Sequence, residues 1–319
     1  MFERPVWNNP FLNIIETPND SVKRDPEPRL PADEDPNGTS PVLSRDVTLD
    51  PTKKTWLRLY IPKQKDNINS SKLPLIVYYH GGGFIFSYAD SFAYDVFCKG
   101  LVEKIGAMVI SLDYSLAPEN RLPAAYDDAM DCLFWIKVTQ DKWVREFADF
   151  SNVFLCGTSA GGNLAYHAGL RGASVAEDLN PVKITGLILH HPYFSGSKRT
   201  LSEERLKDDP LLPLYSIDKM FDLCLPKGVD HDHEYCNPLA NGGSEHIEKM
   251  KELGWRVLVS GCFDDPLVDA GIACAEMLEA KGIEVVRFFG DGYHAMEVFN
   301  PSYAPPFYDA IKNFISSST

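Results

Sequence analysis

The sequence predicts an α/β fold in which helices cover both faces of a mostly parallel β-sheet. Three observations lead to this prediction. After Asp46, short apolar runs rich in β-branched residues alternate with longer helical stretches, as they do in parallel sheets. The hydrophobic fraction of 44% and the charged fraction of 24% are ordinary for a folded globular protein. The 319 residues are enough to bury a substantial core, and two independent domains are not required.

The predicted elements alternate on either side of one irregular stretch. Strands are predicted at 55–61, 75–79, 107–112, 153–156, 184–189, 256–260 and 284–289, and helices at 124–139, 160–172 and 270–281. Residues 195–244 break this order with prolines, charged residues and one short apolar helix. We expect this stretch to form a cap over the carboxyl edge of the sheet, because open α/β sheets place their sites at that edge.

The charge of the chain argues against two classes of partner. A net charge of -14 and a pI of about 5.0 oppose binding to nucleic acid or to anionic membranes, and no cluster of Lys or Arg offsets this charge. No apolar run approaches the roughly 18 to 20 residues that a membrane helix needs. The first residues also lack the pattern of a signal peptide, so a cytoplasmic location is expected. The oligomeric state, monomer or dimer, is left open.

The cysteines predict buried thiols. There are 7, an odd number, and none are spaced as Cys-x-x-Cys. A disulfide framework is therefore not expected.

The motif GTSAG, residues 157–161, predicts a nucleophile on a sharp turn. It follows a predicted strand and precedes a predicted helix, which is the context that a GxSxG nucleophile elbow requires. Its small residues let the backbone turn sharply and expose the hydroxyl of Ser159. The N terminus of the following helix stabilises negative charge that develops beside it. Without this context the motif would be no more than a tight glycine turn.

A second motif, HGGGF at residues 80–84, predicts an oxyanion hole. It comes directly after the predicted strand 75–79. Consecutive glycines expose backbone N–H groups without obstruction by side chains, as an oxyanion hole needs. We expect Gly82 and Gly83 to supply two donors and Ala160 the third. A flexible loop or an anion-binding nest is the simpler alternative.

The acid and the base are predicted on loops after the last two strands, in the chain order serine, acid, histidine. His294 is the candidate base that takes the proton of Ser159, and Asp265 is the candidate carboxylate that orients it. Asp264 or Asp269 could fill the same role, with Asp265 only capping the next helix. Asp265 is preferred, and geometry has to decide.

Other histidines have simpler interpretations. His167 lies within the predicted helix after the elbow, and His190 and His191 lie near the predicted core. The cluster at 231–234, with Cys236, resembles a metal site. Adjacent residues cannot all face one ion without an unusual loop, so no metal is predicted.

With these motifs in place, the chain resembles the plant carboxylesterases of the hormone-sensitive-lipase-like branch of the α/β hydrolases. The resemblance covers nearly the whole chain. It rests on HGGGF, on GTSAGGN and on the segments 265–267 and 292–295, and outside the site on 41–47, 113–114, 116–119, 121–128 and 234–238.

The resemblance implies an α/β-hydrolase fold with an eight-stranded, mostly parallel sheet. It also implies a single domain, 1–319, whose small helical cap is formed by about 1–45 and about 195–244. Ester hydrolysis without a cofactor is expected. The receptor branch of this family lacks the catalytic histidine, whereas His294 is present here.

The chain departs from the family pattern at three positions. Thr158 stands where the family usually has an acidic residue, and Ser115 and Asn120 stand where it usually has Arg and His. These changes remove charge beside the elbow, and they favour a specialised substrate over a generic one.

The leading hypothesis is therefore hydrolysis of a small or specialised-metabolite ester. Two alternatives remain: proton transfer, elimination or cyclisation on the same fold, and a small-molecule receptor. The predicted pocket is mostly apolar. Its candidate substrate contacts are His80, Gly81, Phe84, Ile85, Phe86, Tyr193 and Phe194.

Overall fold

A single eight-stranded sheet organises the computed structural model, which describes residues 15–16, 22–63 and 72–317. Its strands, labelled in chain order, are β1 (Val42–Asp50), β2 (Thr55–Pro62), β3 (Leu73–Tyr79), β4 (Met108–Asp113), β5 (Ala148–Thr158), β6 (Ile184–His190), β7 (Arg256–Asp264) and β8 (Glu284–Tyr293). Across the sheet they lie in the order β1-β2-β4-β3-β5-β6-β7-β8.

The sheet is parallel except around β2, which pairs antiparallel with both β1 and β4. All pairings from β4 to β8 are parallel. The carboxyl ends of β3, β5, β6, β7 and β8 therefore meet at one edge. The predicted eight-stranded, mostly parallel α/β-hydrolase sheet is confirmed.

Helices lie in the connections between the strands and after the last strand. They are α1 (Phe92–Gly100), α2 (Ala124–Val138), α3 (Lys142–Phe147), α4 (Ala160–Ser174), α5 (Leu201–Arg205), α6 (Leu214–Cys224), α7 (Ile247–Glu252), α8 (Val268–Ala280), α9 (Met296–Phe299) and α10 (Pro305–Ser316). A π-helical turn, Leu101–Ile105, extends α1. None of the helices in the described ranges combines the length and the apolar character that a membrane span would need.

The core has one apolar layer on each face of the sheet, as the alternation along β3 shows. Leu75, Val77 and Tyr79 belong to the layer beneath α2 and α4. Ile76 and Tyr78 point the other way, into the layer beneath α1 and α10. Each of these side chains is fully buried. Burial on both faces explains why the strand is a continuous apolar run.

The long connection between β6 and β7 carries α5, α6 and α7, and α6 packs on the elements that follow β3, β4 and β6. The ring of Tyr193 stacks on that of Phe221 with centroids 4.0 Å apart, and its hydroxyl donates to the carbonyl of Ile217 at 2.7 Å. The backbone N–H of Leu122 donates to the carbonyl of Cys224 at 2.8 Å. These contacts fix α6 beside the carboxyl edge of the sheet. The cap boundaries themselves stay a prediction.

One side chain ties the N-terminal segment to the loops after β3 and β4. Arg24 donates to the carbonyl of Ile85 at 2.6 Å and to that of Ala117 at 2.7 Å, and it pairs with Glu119 at 2.7 Å. Of the predicted N-terminal part of the cap, residues 1–14 and 17–21 lie outside the described residues. The last residues of the predicted range 1–45 belong to β1, which begins at Val42.

Candidate active site

Ser159 lies on the turn between β5 and α4, with a backbone φ of 58° and ψ of -119°. A positive φ is costly for a residue with a side chain, so surrounding contacts must hold it. The Ser159 N–H donates to the carbonyl of His190 at 2.9 Å, and the Ser159 carbonyl accepts from the N–H groups of Gly162 at 2.8 Å and Tyr193 at 2.9 Å. The turn presents the hydroxyl at the carboxyl edge of the sheet, as the GxSxG context predicts.

The two glycines of the motif are required by close backbone contacts. A Cβ at Gly157 would overlap the carbonyl oxygen of Gly161. At Gly161 a Cβ would collide with the carbonyl oxygen of Tyr79, on the neighbouring strand β3. The strand, the turn and the helix can therefore approach this closely only because both positions lack side chains.

Ser159, His294 and Asp265 form a continuous chain of hydrogen bonds. His294 Nε2 lies 2.9 Å from Ser159 Oγ, and His294 Nδ1 lies 2.8 Å from Asp265 Oδ2. Asp265 follows β7, and His294 follows β8. With a proton on Nδ1 shared with the carboxylate, Nε2 is left to accept the serine proton.

The neighbouring acids have other partners. The Asp264 side chain is 59% exposed and lies 3.5 Å from Arg205. Asp269 accepts a hydrogen bond from the backbone N–H of Ser202 at 2.7 Å. Only Asp265, among these three, reaches His294, and its second oxygen accepts from the N–H of Leu267 at 2.9 Å.

The loop after β3 carries the glycines of the HGGGF motif and lies against the turn at Ser159. A Cβ at Gly81 would lie 3.1 Å from the Cβ of Ser159, so the loop and the elbow are in contact. Gly82 and Gly83 have φ values of 108° and 62°, which suit glycine. Among the described residues, none accepts a hydrogen bond from the N–H of Gly82, Gly83 or Ala160. These three donors are therefore available to an anion.

Helix α6 covers this loop closely. A Cβ at Gly83 would collide with the sulfur of Met220, which lies on α6 and is buried. The carbonyl of Gly82 accepts hydrogen bonds from the N–H groups of Ile85 and Phe86, both at 2.9 Å. Hydrogen bonds within the loop and the packing of Met220 on Gly83 thus hold the loop in place.

The predicted substrate contacts after the glycines pack inside the protein. Phe84 makes edge contacts with the rings of Tyr114 and Tyr126, at 6.1 Å in each case. Phe194 makes an edge contact with Tyr166 at 5.5 Å. The role of Phe84 and Phe194 as substrate contacts stays a prediction. The same holds for Ile85 and Tyr193.

His80 is also buried, and its ring stacks on that of Tyr114 at 4.2 Å. Burial lowers the pKa of His80 to about 4, although a hydrogen bond to the carbonyl of Gly81 opposes this shift. His80 is therefore neutral at physiological pH. Contacts of His80 and Gly81 with substrate remain predictions.

Behind the triad lies a buried network that sequence reasoning did not predict. His191 Nδ1 lies 2.7 Å from Asp265 Oδ2, the same oxygen that His294 contacts. His191 Nε2 lies 3.2 Å from Glu297 Oε2. His190 Nε2 approaches this oxygen to 3.3 Å. The signal in the sequence was the pair of histidines at the end of β6, at the edge that carries the triad.

The ionisation of this network follows from burial and hydrogen bonding. Burial would raise the pKa of Asp265, but the charge of His294 and hydrogen bonds from His191 and His294 hold that pKa below its usual range. Burial would likewise raise the pKa of Glu297, which hydrogen bonds from His190 and His191 lower. Burial lowers the pKa of His190 to about 4. The carboxylates are thus ionised and His190 is neutral.

The departures from the family pattern have distinct surroundings. The hydroxyl of Thr158 lies 2.8 Å from that of Tyr78 and 2.9 Å from His190 Nδ1, so it extends the buried network without adding charge. Ser115 donates its N–H to Asp128 at 2.8 Å. Asn120 is exposed. Only Thr158 is connected to the site.

The residues of the candidate metal cluster face different partners. His231 Nε2 lies 3.1 Å from Asp222, whereas Asp232 accepts from the N–H of Ser197 at 3.1 Å. The ring of His233 packs against Tyr235 at 4.5 Å. Within the described ranges, the groups with ligand atoms close enough to share an ion are instead His190, His191 and Glu297, and His191, Asp265 and His294. Both belong to the network around the triad.

His167 is buried in α4 against Tyr126, whose ring centroid is 4.7 Å away. Burial lowers the pKa of His167 to about 3. It is a neutral core histidine, consistent with the simpler interpretation of its sequence position.

Comparisons with known proteins show the family of this chain. A family model described as the alpha/beta hydrolase fold matches residues 76–297. Carboxylesterase 20 of Arabidopsis thaliana is 47% identical over 313 residues, which cover 96% of each chain. The 3-O-acetylpapaveroxine carboxylesterase CXE1 of Papaver somniferum is 41% identical over 317 residues, again 96% of each chain.

A solved structure extends the comparison to the fold. The thermophilic carboxylesterase EstE1, cloned from a metagenomic library, superposes with a TM-score of 0.71 at 26% identity, covering 86% of this chain and 88% of its own. Full-length identity to curated relatives, the family match and the shared architecture lead to one assignment. The chain belongs to the plant carboxylesterases of the α/β-hydrolase fold.

Proposed function

We propose that this protein hydrolyses carboxylic esters through an acyl-enzyme, with Ser159 as nucleophile, His294 as general base and Asp265 as the orienting acid. The observation that carries the proposal is the unbroken chain of hydrogen bonds from Ser159 Oγ through His294 to Asp265 Oδ2, at 2.9 and 2.8 Å. Membership of the family supports the reaction class, and this geometry supports the proposed roles.

In the acylation step, His294 Nε2 takes the proton of Ser159 as Oγ attacks the ester carbonyl. The N–H groups of Gly82, Gly83 and Ala160 then stabilise the negative oxygen of the tetrahedral intermediate. The imidazolium of His294 gives its proton to the departing alcohol. Asp265 stabilises that imidazolium while it exists.

Deacylation repeats these steps with water. His294 takes a proton from a water molecule, the hydroxide attacks the acyl carbonyl, and the same N–H groups stabilise the second oxyanion. Collapse of the intermediate breaks the bond to Ser159 Oγ, which recovers its proton from His294. The acid product then leaves, and no cofactor is needed.

The proposed substrate is a small ester of specialised metabolism. The poppy relative is named for 3-O-acetylpapaveroxine, an ester with a short acyl group. The close packing of Met220 on Gly83 supports the same choice, because α6 leaves little room above the oxyanion donors. In this proposal α6 and the segment anchored by Arg24 form the cap over the substrate.

A fluorophosphonate probe followed by mass spectrometry tests the nucleophile. We expect the adduct on Ser159, with turnover of p-nitrophenyl acetate exceeding that of longer acyl esters. Ser159→Ala should lose both labelling and turnover while keeping the thermal midpoint of the parent. A folded parent protein that takes no label would contradict the proposal.

The alternatives have less support. A receptor would need no activated serine, whereas His294 lies in hydrogen-bond contact with Ser159 here. Elimination or cyclisation would proceed without an acyl-enzyme, so Ser159→Ala would keep its turnover. Labelling of the parent therefore tests the receptor, and turnover by Ser159→Ala separates hydrolysis from elimination or cyclisation.

A further inference from the structure

The oxygen that orients His294 is shared between two histidines. Asp265 Oδ2 lies 2.8 Å from His294 Nδ1 and 2.7 Å from His191 Nδ1. The two rings are nearly perpendicular, at 84°, with centroids 5.4 Å apart. The proposed mechanism uses only the first of these contacts, so the second histidine needs its own explanation.

His191 is placed to carry a positive charge. Its two ring nitrogens face Asp265 and Glu297, and an ionised carboxylate can only accept a hydrogen bond. Both nitrogens must therefore hold a proton. Burial would lower the pKa of His191, but hydrogen bonds to Asp265, Cys262 and Glu297 raise it well above its usual range.

The groups that face His191 come from every element around it. His190 precedes it at the end of β6, and Cys262 and Asp265 come from β7 and the loop beyond. His294 and Glu297 come from the segment after β8. Of these, His190 is neutral and the two carboxylates are ionised, so each ring nitrogen of His191 faces one carboxylate.

We propose that His191, kept protonated by Glu297, is a positioning residue that fixes Asp265 and extends the activity of the enzyme to lower pH. Its cation opposes a second positive charge on the His294 ring and partly neutralises Asp265. Activity that depends on His294 as a base therefore extends to lower pH than it would without this cation. The inference rests on the proposed function of Ser159, His294 and Asp265.

The test is the pH dependence of kcat/KM for p-nitrophenyl acetate, measured together with the rate of fluorophosphonate labelling. In His191→Gln the amide can still donate to Asp265, but the charge is gone. We expect the midpoint of the acid limb to rise by about two pH units, the size expected for a unit charge about 5 Å away at an effective dielectric constant near 20. A midpoint within about 0.2 pH units of the parent would overturn the proposal.

Glu297→Gln gives a second test, which depends on the direction in which the acid limb shifts. Loss of one negative charge near His294 would by itself move the acid limb to lower pH. If Glu297 acts by keeping His191 protonated, its removal discharges His191 and moves the limb to higher pH instead. We expect the upward shift, and a downward shift or none would contradict the role of Glu297.

His167→Gln is the matched control, because it also removes a buried histidine but lies outside the network. Its acid limb should coincide with that of the parent. Nitrogen NMR of labelled histidine provides a readout that needs no variant. It should show one ring with both nitrogens protonated at pH 8, and the absence of such a ring would refute the charge on His191.

The outcomes also separate this inference from the proposed function. If the folded parent takes no label at any pH, the proposed esterase mechanism fails first. If the parent is labelled at Ser159 and the acid limb of His191→Gln does not move, only the role of His191 fails.

Discussion

Two buried ionic groups lie at opposite ends of the sheet, and they are built from different cations. The histidine network, formed by His190, His191, Asp265, Glu297 and His294, lies at the carboxyl ends of β6, β7 and β8. The Arg58 cluster lies near β1 and β2 and consists of Arg58, Asp46, Tyr60, Asp95 and Lys99.

The Arg58 cluster is a structural network of ion pairs. Arg58 binds both carboxylate oxygens of Asp46, at 2.6 and 2.8 Å, and reaches Asp95 at 3.1 Å. It also donates to the carbonyl of Leu30 at 2.8 Å, which joins the N-terminal segment to the sheet. Lys99 lies 2.8 Å from the other oxygen of Asp95.

The two groups differ in whether their cation can lose its proton. Burial would lower the pKa of Arg58, but hydrogen bonds and the charge of Asp46 raise it, so this cation is never lost. Histidine, in contrast, can lose or gain a proton near neutral pH. Guanidinium thus suits the Arg58 cluster, where no proton moves, and imidazole suits a network in which the proposed mechanism moves a proton at His294.

The largest expected effect falls on Asp265. Asp265→Asn should lower kcat/KM by about 10³ to 10⁴, because the amide no longer keeps His294 in the tautomer that accepts the serine proton. Steady-state kinetics with p-nitrophenyl acetate measures it. Asp264→Asn is the control, with less than about a twofold change expected for an exposed side chain. Equal losses in both variants would contradict the assignment of the acid.

Asp95→Asn should have the opposite effect to Asp265→Asn, because it should lower stability and leave the reaction of the folded protein unchanged. Arg58 and Lys99 would lose a fully buried carboxylate, so the free energy of unfolding should fall by about 3 kcal/mol. Urea denaturation measures the loss. The folded fraction should be labelled by fluorophosphonate at the parental rate, and slower labelling of folded protein would show that the two groups are coupled.

Arg58→Lys sharpens the distinction further. Lysine keeps the charge but cannot bind both oxygens of Asp46, so a loss of about 1 to 2 kcal/mol in the free energy of unfolding is expected. The exposed pair of Arg287 and Glu279 provides the control, since Arg287→Lys should cost no more than about 0.5 kcal/mol. Since Arg287 also contacts both oxygens of Glu279, similar losses at both sites would mean that the burial of Arg58 adds nothing.

The smallest effect is expected at Thr158. Thr158→Val removes the hydroxyl that Tyr78 and His190 contact, and should lower the free energy of unfolding by about 1 kcal/mol. Thermal denaturation compares it with Thr158→Ser, which retains the hydroxyl and should lose less. A tenfold fall in kcat/KM would instead place Thr158 in the machinery of the site.

Most of the site was predictable because each of its parts follows a strand directly. The elbow after β5, the glycines after β3, Asp265 after β7 and His294 after β8 are local patterns, and parallel topology brings their ends together. Sequence alone could not decide between Asp265 and its neighbours. That choice depends on which carboxylate the turn directs inward.

What the sequence did not predict depends on long-range contacts or on edge positions. β1 mixes charged and apolar residues because it is an edge strand, so it lacks a continuous apolar run. His191 and Glu297 are 106 residues apart, and no spacing rule links them. Their partnership arises only when β6 and the segment after β8 reach the same side of Asp265.

The seven cysteines give the protein a built-in reporter of opening. All are free and buried, and burial raises the pKa of every one of these thiols. A thiol reagent therefore reacts with a cysteine only after the segment around it has opened. Because the cysteines lie in both core layers and in the long connection between β6 and β7, a brief maleimide pulse resolved by peptide mass spectrometry would map where each variant opens first.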